Sequence, residues 1–210
     1  FVIDLSTGRY LWEEYSEEEN YWFNRFEEGE DATIINHREF LTQYRAAAAL
    51  GVHHPGKLFD MLNDNQGAVA NTQKPQCHSN RDELTSSMMG IIQLVMQQTL
   101  FGDYIETLKN KADYPTRKAL YHKAHEWLAE FTARTGLITE KIELTGDLAW
   151  LKDVGWDKRP SQSPASSFLQ HGNLYLQWLA DCHPEVVSST CPVDLCSVQE
   201  AFAAGSRGEP

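Results

Sequence analysis

With 210 residues and 18 Lys+Arg against 30 Asp+Glu, the chain has a formal charge of −12, which suits a single domain and disfavours nucleic acid or an anionic membrane as partners. Apolar content of 41% with 11% aromatics excludes a disordered chain and supplies a core without staples. The best apolar run, residues 88–96, is interrupted by Gly90 and Gln93, so no membrane span is expected.

Two β-favouring runs, Phe-Val-Ile-Asp-Leu and Arg-Tyr-Leu-Trp-Glu, flank Ser6-Thr7-Gly8 and predict an N-terminal hairpin. Ser16 and Glu19 have capping-box spacing, which starts a helix over 17–28 that Gly29 stops. Asn36 and Glu39 repeat that signal for a second helix, carried by Phe40, Leu41, Tyr44, Ala47 and Ala48 and ended at Gly51. His53-His54-Pro55-Gly56 forces a break, because a residue before proline avoids helical dihedrals. A short helix with Leu58, Phe59, Met61 and Leu62 is expected next, then a turn over 63–67 and a polar loop over 67–80.

The longest predicted helix covers 81–110, with Asn80 as its cap and Asp82 and Glu83 favoured by the dipole of its first turn. Around 88–96 the apolar residues run nearly all the way round, as on a helix enclosed by others. Gly90 and Gly102 would each cost about 1 kcal/mol against Ala inside such a helix. Their presence points to close approach by a neighbouring helix or a ligand. A helix over 116–135 ends at Gly136, and a last one, opened by Ser163-Pro164, runs through Cys182 to the stop at His183-Pro184. The expected fold is therefore mainly α: five or six helices around a buried central one, with a small N-terminal β-hairpin. Residues 1–185 form the domain, with an acidic-aromatic segment 1–35 packed on it and an irregular cysteine-containing tail over 186–210.

Cys77, Cys182, Cys191 and Cys196 allow two disulfides in three connectivities; a Cys191–Cys196 loop would leave Cys77 to pair with Cys182. The chain opens on Phe1 without a charged-then-apolar leader, which leans toward an exported, oxidised product whose leader is gone, or toward a cut piece.

Eight histidines and six tryptophans form the pool from which a site could be drawn. His122, His125 and Glu126 have spacing that can converge on one metal from a helix, but the order is not that of zinc proteases, and the helical projection turns His122 and Glu126 away from the stripe of Leu120, Ala124, Trp127, Leu128 and Phe131. His171 lies at the edge of the buried side of the last helix, one turn before Tyr175. Burying an imidazole there calls for a hydrogen bond, a metal or a haem iron. His171 and Tyr175 are thus the candidate catalytic pair, with Gly90 and His171 as candidate cofactor contacts and a transition metal or haem as the cofactor class. Cys77-His78 and Cys182-His183 together could make a zinc site, though adjacent ligands diverge and a disulfide accounts for them more simply. His53 and His54 read as ordinary loop residues.

Residues 13–31 hold nine carboxylates and Arg25 as their one base, interleaved with Tyr15, Tyr21, Trp22, Phe23 and Phe26. Nucleotide-binding glycine loops, the hydrolase elbow and Cys-x-x-Cys are absent from the sequence. Two functions are carried forward. One is a small helical enzyme or cofactor protein with a histidine-containing core pocket for a small-molecule ligand. The other is a non-catalytic acidic binding protein that recognises a basic protein or a cationic ligand.

Overall fold

The computed structural model describes residues 1–25, 31–73, 80–152 and 164–190. The chain is mostly helical, with two small sheets. Val2–Ile3 (β1) and Arg9–Leu11 (β2) form the expected antiparallel hairpin, with Val2 opposite Leu11. Gly8 turns the corner at φ 80°, and a Cβ there would meet the Ile138 carbonyl oxygen at 2.8 Å, so both backbone sign and space require glycine. Glu140–Ile142 (β5) adds a third strand parallel to β2, pairing Arg9 with Glu140.

The helix Glu17–Arg25 (α1) begins with the capping box: the Ser16 N–H donates to Glu19 Oε2 at 2.7 Å, and the Glu19 N–H donates to Ser16 Oγ at 3.1 Å. Gly29, the expected stop, lies outside the described residues. The second helix, Asp31–Gly51 (α2), starts before Asn36, which therefore sits inside it. Here the side chain of Asn36 lies against Gly67, where an added Cβ would come within 2.6 Å of Nδ2. Over residues 43–51, α2 is buried on every side.

Three predicted elements are corrected. Residues 58–62 are not helical: Leu58–Asn63 is a strand (β3), alternating exposed and half-buried. The long helix over 81–110 is a helix, Asn80–Met96 (α4), followed by a strand, Thr99–Tyr104 (β4), which pairs parallel with β3 from Leu58–Thr99 to Asn63–Tyr104. Gln97 takes the left-handed φ of 52° between them. The buried Gln98 amide then donates to the carbonyls of Gly51 at 2.6 Å and His54 at 3.0 Å, locking the reversal against the end of α2. Finally, the expected polar loop contains a helix, Gln66–Gln73 (α3), capped by Asn65, whose Oδ1 accepts from the N–H groups of Gly67 and Ala68 at 2.8 and 3.2 Å.

The helix expected over 116–135 starts later, because 3₁₀ turns at Lys111–Thr116 and Lys118–Leu120 precede it; Tyr121–Thr135 (α5) then ends at Gly136 with φ 73° as expected. Pro164–Cys182 (α6) matches its predicted extent. The tail placed at 186–210 starts instead with helical residues, because Pro184–Thr190 (α7) follows the break and buries Val186. The core joins α2, α4 and α6 through Phe40, Leu41 and Tyr44, Met88, Ile92 and Met96, and Tyr175, Leu176 and Leu179. At its edge, Arg45 donates to Glu19 at 2.8 Å and to the carbonyls of Leu151 and Lys152 at 3.1 and 2.9 Å, so the buried guanidinium is matched in charge and in hydrogen bonds.

Candidate functional site

A cleft of about 260 Å³ lies between α3, α4 and β4. Helix α4 contributes Ser86, Met89, Gly90 and Gln93, whose spacing of three, four and seven residues puts them on one face. The last turn of α3 adds Asn71, Thr72 and Gln73, and β4 adds Leu100. Gly90 is exposed, and a Cβ built on it meets nothing within 4 Å. So the close approach expected at Gly90 is not protein against protein; the glycine leaves the side of the cleft open. Gly102 does meet a close neighbour, but in a strand: an added Cβ would lie 3.0 Å from both Thr72 Cβ and the Val69 carbonyl oxygen of α3.

The lining side chains are oriented by partners whose roles are fixed. The Leu100 N–H donates to Gln93 at 3.1 Å, so the Gln93 atom facing the strand is Oε1 and its Nε2 remains a donor. The Gly102 carbonyl accepts from Gln73 at 2.5 Å, so the facing atom is Nε2 and Oε1 remains an acceptor. Thr72 Oγ1 donates to Gln43 Oε1 at 2.8 Å, while the buried Gln43 Nε2 has no hydrogen-bond partner among the described residues. Asn71 donates from Nδ2 to Asp82 Oδ2 at 3.2 Å, and Asp82 Oδ1 holds His37 Nδ1 at 2.7 Å in a buried pair. A polar chain thus runs from the core histidine to the cleft wall.

His171 is buried on α6, 8% exposed, and Tyr175 one turn later is fully enclosed, as the helical spacing predicts. Burial holds the Tyr175 phenol far above its ordinary pKa, and its hydroxyl makes no hydrogen bond with the described residues. Neither residue lines this cleft or the groove described next. His122, His125 and Glu126 are exposed on α5 and are not joined by His171; among the described residues no group of three or more His, Cys, Asp or Glu is placed to hold a metal. Cys182 is an exposed free thiol, with Sγ 3.6 Å from Asp147 Oδ2, whereas Cys77, His78, Cys191 and Cys196 lie outside the described residues. His54 ties two turns together through Asp4, Nε2 to Oδ2 at 2.6 Å.

The acidic-aromatic segment forms part of a second, open groove of about 320 Å³, lined by Trp12, Glu13, Glu14, Tyr121, Lys141, Glu143 and Lys152. Trp12 meets Tyr121 edge-on at 5.1 Å and the His125 ring at 5.0 Å. Tyr121 donates to Glu14 at 2.5 Å, which raises the phenol pKa, while Lys152 pairs with Glu13 at 3.1 Å and Lys141 with Glu143 at 2.9 Å. Its charges alternate in sign, so this is not a uniformly acidic face.

The sequence patterns that single out His171 pass over His37 and Asp82. A signal for His37 does exist: it lies three and four residues before Phe40 and Leu41 and seven before Tyr44, on the buried stripe of α2. Asp82 is readable only as a first-turn carboxylate, because its partner is 45 residues away. Compared with known protein families, with curated proteins and with solved structures, the chain matches none.

Proposed function

We propose that this protein binds an uncharged, hydrogen-bonding small molecule in the cleft between α3, α4 and β4, with Gly90 at its open side. The observation that carries the reading is the lining: five neutral polar side chains, Asn71, Thr72, Gln73, Ser86 and Gln93, set around Met89 and Leu100 in a strongly acidic chain. Among the described residues the lining offers a charged ligand no counter-charge, and desolvating it there is costly, whereas a neutral ligand exchanges water hydrogen bonds for amide and hydroxyl ones. The His37–Asp82 pair supports this role by fixing the Asn71 amide through Asp82 Oδ2. The metal- or haem-dependent alternative draws its support from the burial of His171 alone. Capture of a cationic partner draws its support from Trp12 and its neighbouring carboxylates.

The test is denaturation of the protein with millimolar adenosine, glucose or a capped peptide, and with charged probes, in the parent and in Gly90→Leu. Selective binding to the folded state raises stability by about 2.7 kcal/mol at a hundredfold excess over Kd. At least one neutral probe should shift the parent and leave folded Gly90→Leu unmoved. Response only to charged probes, or equal response in both proteins, overturns the reading.

A further inference from the structure

We infer that the cleft's ligand is an uncharged peptide segment in extended conformation, held by its backbone alongside β4. This deepens the reading above and rests on it. In β4, Leu100 and Gly102 face away from β3: the Thr99 N–H donates to Lys57 and the Ile105 N–H donates to Asn63, so the odd-numbered residues serve the ladder and the even-numbered ones the free edge. On that edge stand the two glutamine amides, Gln93 accepting from the Leu100 N–H and Gln73 donating to the Gly102 carbonyl. They occupy the places where a neighbouring strand would put its peptide groups.

Each amide passes the polarity of the edge outward by one layer. Gln93 takes a backbone N–H and offers its own N–H; Gln73 binds a backbone carbonyl and offers its own carbonyl. Neither side chain makes another hydrogen bond with the described residues. The two anchored residues are two apart on a strand, an interval of about 6.6 Å between like backbone groups. An extended backbone repeats both its carbonyl and its N–H along one edge at that interval, so it can meet the outward groups of the two amides much as it would meet a strand edge. The donor and acceptor on one edge of a nucleobase are neighbouring ring substituents, too close together to reach both amides. Met89 and Leu100 give the side chains of such a segment an apolar floor, and the open position at Gly90 leaves room for the chain to pass.

The experiment titrates the full chain with acetyl-Ala-Ser-Ala-amide, with the same peptide N-methylated at its central nitrogen, and with adenosine and glucose, following backbone amide resonances by NMR. The unmodified peptide should shift Leu100 and Gly102, and N-methylation should weaken binding tenfold or more. Gln93→Glu keeps an acceptor for the Leu100 N–H but turns the outward donor into a carboxylate oxygen, so it should also weaken the peptide at least tenfold with β4 intact. Equal binding of both peptides, or an unchanged affinity in Gln93→Glu, overturns the inference. Adenosine or glucose binding that Gly90→Leu abolishes, with no peptide binding, overturns it while leaving the proposed function standing. Failure of every neutral probe removes both.

Discussion

The two glycines that the sequence marks for close approach should respond to alanine with opposite signs. Gly90 lies in α4 with an exposed backbone, and an added methyl would touch nothing within 4 Å. The change is then almost purely one of helix propensity and unfolded-chain entropy, worth about 0.8–1.0 kcal/mol in favour of Ala. At this chain length that raises Tm by about 2–4 °C. At Gly102 the methyl would lie 3.0 Å from a backbone oxygen of α3 and 3.0 Å from Thr72 Cβ, neither being the far end of a flexible side chain. Accommodating it means moving α3 off the strand, and overpacking of this kind costs about 1–3 kcal/mol, more than a strand gains by losing a glycine. Urea titrations followed by tryptophan fluorescence measure both changes, with an unchanged m-value as the sign that only stability moved. A loss of stability in Gly90→Ala, or a gain in Gly102→Ala, would refute the placement of the cleft between these helices and β4.

Four further outcomes follow from buried groups. Asp82→Ala removes the acceptor of both His37 and Asn71 and should cost about 3 kcal/mol in urea titrations. Glu19→Ala should cost a similar amount by leaving Arg45 without its carboxylate, whereas Ser16→Ala, which loses only the cap, should cost about 1 kcal/mol; equal losses would contradict the geometry. Tyr175→Phe removes a buried hydroxyl with no partner among the described residues and should leave stability unchanged or raised by about 1 kcal/mol, a clear loss being the contrary result. Burial raises the Asp4 carboxyl pKa, but hydrogen bonds from Thr7, Ser6, His54 and the Ser6 N–H outweigh it and bring it down to about 2. A folded pKa below the unfolded one means that this stabilisation is complete above about pH 4 and is lost as pH falls through about 2, so Asp4→Asn should flatten the acid limb of stability against pH.

What was legible in the sequence is what local chemistry decides. Ser16 with Glu19, Gly51, Gly136 and Pro164 mark helix ends through bonds that reach only a few residues, and the structure places those ends where the chemistry asks. Two helix starts are misplaced by a few residues, at Asn36 for a helix that begins at Asp31 and at Thr116 for one that begins at Tyr121, but the elements read as the wrong type are those whose partners are remote. Leu58, Phe59, Met61 and Leu62 fit a short helix or a strand equally well, and only pairing with residues 41 positions later makes them β3. The same pairing cuts the predicted long helix at Met96, since residues 99–104 belong to the strand that completes the ladder. α3 escapes a sequence reading for another reason: Gln-Gly-Ala-Val-Ala-Asn-Thr-Gln is polar and short, and its helix depends on the Asn65 cap and on packing against β4. The site inherits both kinds of ignorance. Gly90 could be picked out because a glycine inside an apolar helix is anomalous on its own, whereas Gln73 and Gln93 have meaning only once β4 is known to run between them.

The position of the cleft has a structural reason. A two-stranded parallel sheet is marginal by itself, and parallel strands are commonly covered on both faces. Here α3 covers one face of β3–β4, while Leu58, Leu62 and Phe101 stay more than half exposed on the other, or half in the case of Leu62 at 50%. Among the described residues the outer edge of β4 is bonded by side chains and not by a third strand. Gln73 and Gln93 therefore serve two ends at once, completing the hydrogen bonding of the strand and presenting polarity to the cleft. Removing either side chain outright would confound loss of the strand with loss of the ligand. Perturbations that separate the two must leave the inward bond in place, as Gln93→Glu does, or act from the open side at Gly90, where no strand contact exists. A ligand that binds along this edge would in turn add bonds to the least supported element of the fold, so protection of the Leu100 and Gly102 amides from hydrogen exchange should rise on binding more than that of the α2 core.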